Sequence, residues 1–462
     1  MTSSSLLQLA SPPSPLPLAY DVRPTSLRGG NDFWAFFQQQ QDKLEETTRH
    51  SFSDQSEASA CSELREDPEG REANADPRVD EDGREANAGG VRNSDGGVTV
   101  VKTSSSTVSP QGFLQQQLSL PERRSLGPPV QGSYLSKRED DKGKKPLFSF
   151  GVITDVQYAD INDGHSFLGI PRFYRHSLEV VKQAVEDWNQ SARPMSFAVH
   201  FGDIVDGFCP RDRSVEAVNT VLDALAGFTA GPTYHMIGNH CLYNLPRLTL
   251  NKMLAIPTAA DNRSYYDFSP YPNFRLVVLD SYDVSLLGWP EDHPHAVRAR
   301  EVLERENPND EKNSPEGLEG LNRRFVKFNG GVGDEQLRWL EGVLAECDAL
   351  GETVVLCCHQ PIEPTALPTA TCLVWNYDKV LATIHRHECV AAVIAGHAHF
   401  GAYALDAKGI HHRILEGAVE CPPGTVAFGH IDVYQDRLCI IGKDRMLCTE
   451  MRFPPRSGHS TL

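Results

Sequence analysis

The chain has 462 residues, with 62 acidic against 44 basic side chains and a net charge of -18, so no general basic surface exists to hold a nucleic-acid backbone. No run approaches the roughly 18 apolar residues that a transmembrane helix needs. The 11 cysteines, an odd number without C-x-x-C pairs, argue against a disulfide scaffold and for a reducing compartment.

In chain order, residues 1–145 read as a long disordered extension. Its opening is Ser-rich, without an acid before Asp21 and with Arg23 and Arg28 behind, which suits either a disordered leader or an organelle-targeting segment. Residues 51–145 mix Ser, Gly, Asp, Glu, Arg and Gln with few aromatics, too little apolar surface to offset the entropy of ordering. A polar heptamer at residues 69–75 is echoed at residues 82–88, a local duplication, and residues 33–37 (FWAFF) form the one apolar knot.

At Pro146 the texture changes, and residues 146–462 read as one folded α/β domain. Strands are expected at LFSFGVITD (147–155), MSFAVHFGD (195–203), PTYHMIGN (232–239), FRLVVLDSYD (274–283), TVVLCCHQ (353–360) and CVAAVIAGH (389–397). Helical spacing appears over residues 175–189, 214–228 and 333–350, where Leu178, Val181 and Val185, then Leu337, Leu340 and Leu344, fall on single stripes. Residues 287–329, rich in Pro, Glu and Asn, read as an insertion or lid, and residues 409–445 as further strands with hairpin turns.

Five of the apolar runs end in residues that ligate metals: Asp155 and Gln157, Asp203, Asn239 with His240, His359, and His397 with His399. The crevice outside the carboxyl ends of strands is where α/β sheets bind ligands. Each piece alone is weak, since GDIVD can be a turn and GNH a helix cap; the ordered combination carries the argument. Carboxylates, imidazoles and amide oxygens are ligands for first-row metals. They are too many for one ion and suit two that share a carboxylate, the arrangement that activates water and clamps a phosphoryl group. Hydrolysis of a phosphate ester or anhydride is the implied chemistry, and the ions supply the positive charge that an acidic chain needs for an anionic substrate.

These motifs resemble the calcineurin-like metallophosphoesterase superfamily: Asp155-Val-Gln157, Gly202-Asp203-Ile-Val-Asp206, Gly238-Asn239-His240, His359 and Gly396-His397-Ala-His399. Gln157 stands where that pattern has a His. With the surrounding texts GVITDVQYADINDG, FYRHSL, KFNGG and LVWNYD, it is similar to one branch, the manganese-dependent ADP-ribose/CDP-alcohol diphosphatases. The resemblance spans about residues 147–451 and implies a layered fold of two β-sheets flanked by helices. It also implies two divalent ions, Mn²⁺ above all, with Asp155, Gln157, Asp203 and His399 on one and Asp203, Asn239, His359 and His397 on the other. His240 is implied beside the scissile phosphate, with Asp206 orienting it. An amide oxygen in place of imidazole makes a harder, weaker site, which suits Mn²⁺.

Cys241 after GNH, Gln360 in HQPI and Phe400 after GHAH depart from the usual pattern. Phe167, Cys372 and the run Trp375, Asn376 and Tyr377 are the expected face for a nucleobase. The resemblance implies a small nucleotide as substrate, ADP-ribose or a CDP-alcohol. A phosphomonoesterase or cyclic-nucleotide phosphodiesterase is the alternative, and a metal-free scaffold a further one that the intact ligand set disfavours. A cytoplasmic monomer is expected, with an unknown partner for the N-terminal extension.

Overall fold

The computed structural model describes residues 145–166, 169–258 and 263–453. The N-terminal extension with its repeat and FWAFF run, and Phe167, lie outside the described residues. The six expected strand segments each contain a strand: β1 (Phe148–Ile153), β4 (Phe197–His200), β5 (Thr233–His235), β7 (Phe274–Leu279), β8 (Thr353–Cys358) and β9 (Val390–Ala395). Around them run the short hairpin β2 (Gly164–His165) and β3 (Pro171–Arg172), then β6 (Tyr266–Tyr271), β10 (Phe400–Leu405), β11 (His411–Glu416), β12 (Ala427–Val433), β13 (Arg437–Asp444) and β14 (Thr449–Arg452).

Two six-stranded sheets result, in the orders β14-β13-β12-β1-β4-β5 and β10-β11-β9-β8-β7-β6. Strands β1, β4 and β5 are parallel, as are β7, β8, β9 and β11; the remaining pairs are antiparallel. The period of two along a strand sorts the second sheet's side chains into two layers. Leu276, Val278, Val355, Cys357 and Ile394 meet Phe150, Phe197 and Ile431 of the first sheet in one core. Val277, Leu279, Val354, Leu356, Cys358 and Val393 face the other way, against helices. The adjacent Cys357 and Cys358 thus belong to different cores, and all ten cysteines of the described residues are free.

Helices α1 (His176–Gln190) and α2 (Ser214–Leu225) cover the first sheet, α1 burying Val181, Val185 and Trp188. Helices α3 (Asn239–Asn244) and α4 (Arg247–Met253) follow β5. The second sheet is covered by α6 (Asp334–Leu350), which ends at Gly351 in the left-handed region that a C-terminal cap favours, and by α7 (Tyr377–Ile384). The segment expected as an insertion or lid carries α5 (Pro294–Glu306), whose Ala299 and Leu303 pack on Phe325 and Trp375. It is a built part of the fold. His293 caps α5 by accepting the His295 N–H, and Pro294 starts it, but its charged residues hide the short apolar stripe Ala296, Ala299 and Leu303. No helix of the described residues is long and apolar enough to cross a membrane.

Trp188 shows how tightly the first core is built. Its indole is 1% exposed, donates to the Gly429 carbonyl at 2.8 Å, and lies where a Cβ on Gly151 would approach to 2.5 Å. Trp188→Phe removes both a buried hydrogen bond and a ring's worth of packing, and should cost about 2–3 kcal/mol, read as a lowered denaturant midpoint.

Candidate metal centre

The carboxyl ends of β1, β4, β5, β8 and β9 open onto one crevice, and the polar residues that follow them meet there. Their backbones are bent sharply: Asp155, Gln157, Asp203, His397 and His399 take φ of 50°, 43°, 55°, 67° and 60°. The left-handed region costs a residue with a Cβ about 1–3 kcal/mol, and such strain gathers where surrounding structure fixes a functional geometry. Two glycines make the turns possible. Gly202, itself at φ 99°, would put a Cβ 2.4 Å from His359 Nδ1, and Gly396 one 2.7 Å from Asp155 Oδ2.

Asp155, Gln157, Asp203 and His359 are fully buried, with Asn239, His397 and His399 nearly so. Each imidazole has one nitrogen tied to an acceptor, and in His359 and His399 the other faces the carboxylates. His359 Nδ1 pairs with the Phe201 carbonyl at 2.7 Å, His399 Nδ1 with Glu420 Oε1 at 3.0 Å, and His397 Nε2 with Asn329 Oδ1 at 3.0 Å. Acceptors on the outer nitrogen fix the tautomer and leave the inner lone pair free, the arrangement of metal-binding histidines. Inward, His359 Nε2 lies 3.2 Å from Asp203 Oδ2, and His399 Nε2 lies 3.0 Å from Asp155 Oδ1. Ligand atoms of Asp203, His359 and His397 all fall within 4.8 Å of one another.

Hydrogen bonding does not account for the interior of this cluster. Asp155 Oδ1 and His359 Nε2 are buried without a hydrogen-bond partner, and buried polar atoms are rarely left so. A divalent cation among the two carboxylates and the imidazoles of His359, His397 and His399 satisfies them, and the mixed oxygen and nitrogen donors suit Mn²⁺. Gln157 is the exception. It lies in the cluster, but its Nε2 faces inward, 3.1 Å from His399 Nε2 and 3.3 Å from Asp203 Oδ2, while its Oε1 accepts from Arg172 Nη1 at 2.5 Å.

Electrostatics favour ionised carboxylates. Burial works against the charge on Asp155 and Asp203, but the neighbouring histidines outweigh it and hold both below the usual carboxylate range. Burial also disfavours the His399 imidazolium, yet Asp155 and Glu420 lift it to about 9. A raised value means that the metal-free protein carries this proton through neutral pH and loses it only near pH 9, and a cation must displace it. Apparent Mn²⁺ affinity should therefore rise by up to about tenfold per pH unit between pH 7 and 9 and then level off, with proton release detectable by calorimetry in buffers of different ionisation heat.

His240, at the start of α3, sits beside the cluster with its side chain 21% exposed. Its backbone N–H donates to Asp203 Oδ1 at 2.8 Å, its Nδ1 accepts the Gly207 N–H at 2.9 Å, and Asp206 Oδ2 lies 3.1 Å from the same nitrogen. The neutral ring thus has a donor and the imidazolium a carboxylate.

All of this opens into a cavity of about 240 Å³, which Gln157, Asp206, Asn239, His240, His397 and His399 line on one side. Arg172 and Arg323 bring positive charge, and Tyr174, Phe208, Phe328 and Phe400 bring rings. Among the described residues of the expected nucleobase face, Cys372 alone lines it. Trp375, 4% exposed, is packed against α5; Asn376 exchanges hydrogen bonds with the Val332 backbone; Tyr377, half-buried, packs against the second sheet's helix-side core. Trp375 and Asn376 border a different cleft. Arg172, Glu420, Asn329 and the cavity rings escape a reading of strand ends, although KFNGG contains Phe328 and Asn329, and LEGAVE contains Glu420.

No protein-family model matches the chain. It is 57% identical over 312 residues to a manganese-dependent ADP-ribose/CDP-alcohol diphosphatase of Oryza sativa subsp. japonica, covering 68% of this chain and 96% of that protein. A human protein of the same name is 41% identical over 315 residues, 65% of this chain and 91% of its own. The crystal structure of a dimetal phosphatase from Danio rerio superposes with a TM-score of 0.64 at 37% identity, over 67% of this chain and 100% of that one. The paired sheets, the inward-facing ligand atoms and identity sustained over nearly the full length of these relatives lead to one assignment: the chain belongs to the manganese-dependent ADP-ribose/CDP-alcohol diphosphatase family.

Proposed function

We propose that the protein hydrolyses the pyrophosphate of ADP-ribose and of CDP-alcohols such as CDP-choline and CDP-glycerol, yielding a nucleoside monophosphate and a phosphorylated sugar or alcohol. The observation that carries the reading is the buried pair Asp155 and Asp203 among three histidines, each with its outer nitrogen engaged and its inner one turned to the carboxylates or the cavity. Asp155, Gln157, Asp203 and His399 would hold one Mn²⁺, and Asp203, Asn239, His359 and His397 the other. When bound, the ions supply an activated water and positive charge for the phosphates.

The chain's own residues do the rest. Arg172 and Arg323 face the anionic substrate from the cavity wall, where guanidinium suits phosphate. The rings of Phe208, Phe328 and Phe400 offer planes for the base. His240 Nε2, with Nδ1 accepting from Gly207, carries a hydrogen for the departing phosphate oxygen. Residues 146–462 form the catalytic unit, a reading supported by relatives that align over 65–69% of the chain. The free cysteines support a reducing, cytoplasmic location.

The test is hydrolysis of ADP-ribose, CDP-choline and p-nitrophenyl phosphate by metal-stripped protein with Mn²⁺, Mg²⁺ or no ion added. Cleavage of the two diphosphates, dependent on Mn²⁺ and far exceeding that of the monoester, is expected. Preference for the monoester would replace this reading with a phosphomonoesterase.

A further inference from the structure

We propose that Arg172 holds Gln157 in an orientation that refuses a cation, and that an anionic phosphate drawing the guanidinium away frees the amide to complete the metal site. The inference rests on the dinuclear reading above and adds a coupling between metal and substrate.

Arg172 belongs to β3, whose chain is pinned to the site's edge where the Phe173 N–H donates to the Val419 carbonyl at 2.8 Å. Its Nη1 lies 2.5 Å from one terminal atom of the Gln157 amide. A guanidinium only donates, so that atom is the amide oxygen, and the orientation of the amide follows from chemistry. The opposite atom is then nitrogen, and the carboxylate beside it agrees: Asp203 Oδ2, which can only accept, lies 3.3 Å away. An amide nitrogen has no lone pair to give a metal. To ligate, the amide must turn over, which sets its NH₂ against the Arg172 N–H groups, donor facing donor. The ion and the guanidinium therefore compete for one oxygen.

Arg172 has reason to leave when a substrate arrives. It lines the cavity, and its Nε is buried without a hydrogen-bond partner. A phosphate offers that donor and Nη1 acceptors of full charge, stronger than a neutral amide. Linkage then requires that anion and cation each tighten the binding of the other.

The experiment measures Mn²⁺ binding to the full chain by the loss of the free-ion electron paramagnetic resonance signal. Arg172→Ala should tighten the weaker of two sites about fivefold, within the usual range of coupling between sites. Arg172→Met, which keeps much of the side chain's bulk but cannot donate, should also tighten it. In a Gln157→Ala background neither substitution should have a further effect. AMP as a probe anion should tighten Mn²⁺ binding by a larger factor in the wild type than in Arg172→Ala. Unchanged or weaker binding in both arginine variants, tightening that persists without Gln157, or equal AMP factors would each overturn the proposal. Failure of the wild type to bind two Mn²⁺ even with AMP present would instead overturn the dinuclear reading on which it stands.

Discussion

Asp203→Asn should cut turnover of ADP-ribose at least about a thousandfold, some 4 kcal/mol of barrier, while leaving the metal-free fold nearly intact. The side chain is fully buried and belongs to both halves of the cluster: Oδ1 accepts the His240 N–H, and Oδ2 faces His359 Nε2 at 3.2 Å and Gln157 Nε2 at 3.3 Å. It is the one carboxylate assigned to both ions, so removing its charge weakens both sites together. Asparagine keeps the shape and tolerates the left-handed backbone at φ 55° nearly as well as aspartate, so the loss is chemical. Thermal unfolding separates the cases. In the wild type, Mn²⁺ at about a hundred times its dissociation constant should add about 2.7 kcal/mol per site. In Asp203→Asn that increment should vanish, with the unfolding temperature under chelator little changed. A variant that kept two Mn²⁺ and a tenth of its activity would remove Asp203 from the bridging position.

How much of this was legible beforehand depends on where each feature is encoded. A buried strand followed at once by a polar residue is a local pattern, and parallel strands put such residues into a common crevice, so Asp155, Asp203, Asn239, His359, His397 and His399 could be read from the chain alone. Helices α1, α2 and α6 were legible for the same reason, since periodicity is local. The groups that orient the ligands were not. Asn329 reaches His397 across 68 residues and Glu420 reaches His399 across 21, and no spacing rule announces such pairs. Trp375, Asn376 and Tyr377 were expected on a nucleobase face, and residues 294–306 within an insertion or lid whose helix is hidden by its charged residues. Once Ala299 and Leu303 stand on α5, the indole has its place in the core, and the cavity's rings come from segments scattered along the chain.

His240→Ala should lower kcat for ADP-ribose about 10²–10³-fold with little change in KM and no loss of Mn²⁺. The metal content should hold because the contact that steadies Asp203 is the backbone N–H of residue 240, which alanine keeps. What is lost is the hydrogen on Nε2. The bond broken in a diphosphate releases a phosphate oxygen, already a good leaving group, so a donated hydrogen bond can serve where full proton delivery would be needed for an alkoxide. His240→Gln, which retains a neutral N–H donor, should therefore recover about tenfold over alanine. Asp206→Asn should cost less than either, since its remaining oxygen can keep the cap on the Phe208 N–H, 2.7 Å away, and only the carboxylate facing Nδ1 disappears. If His240→Gln proved as slow as alanine, the ring would have to transfer its proton rather than share it, and the Asp206 carboxylate, as the partner of the imidazolium, would rise in importance accordingly.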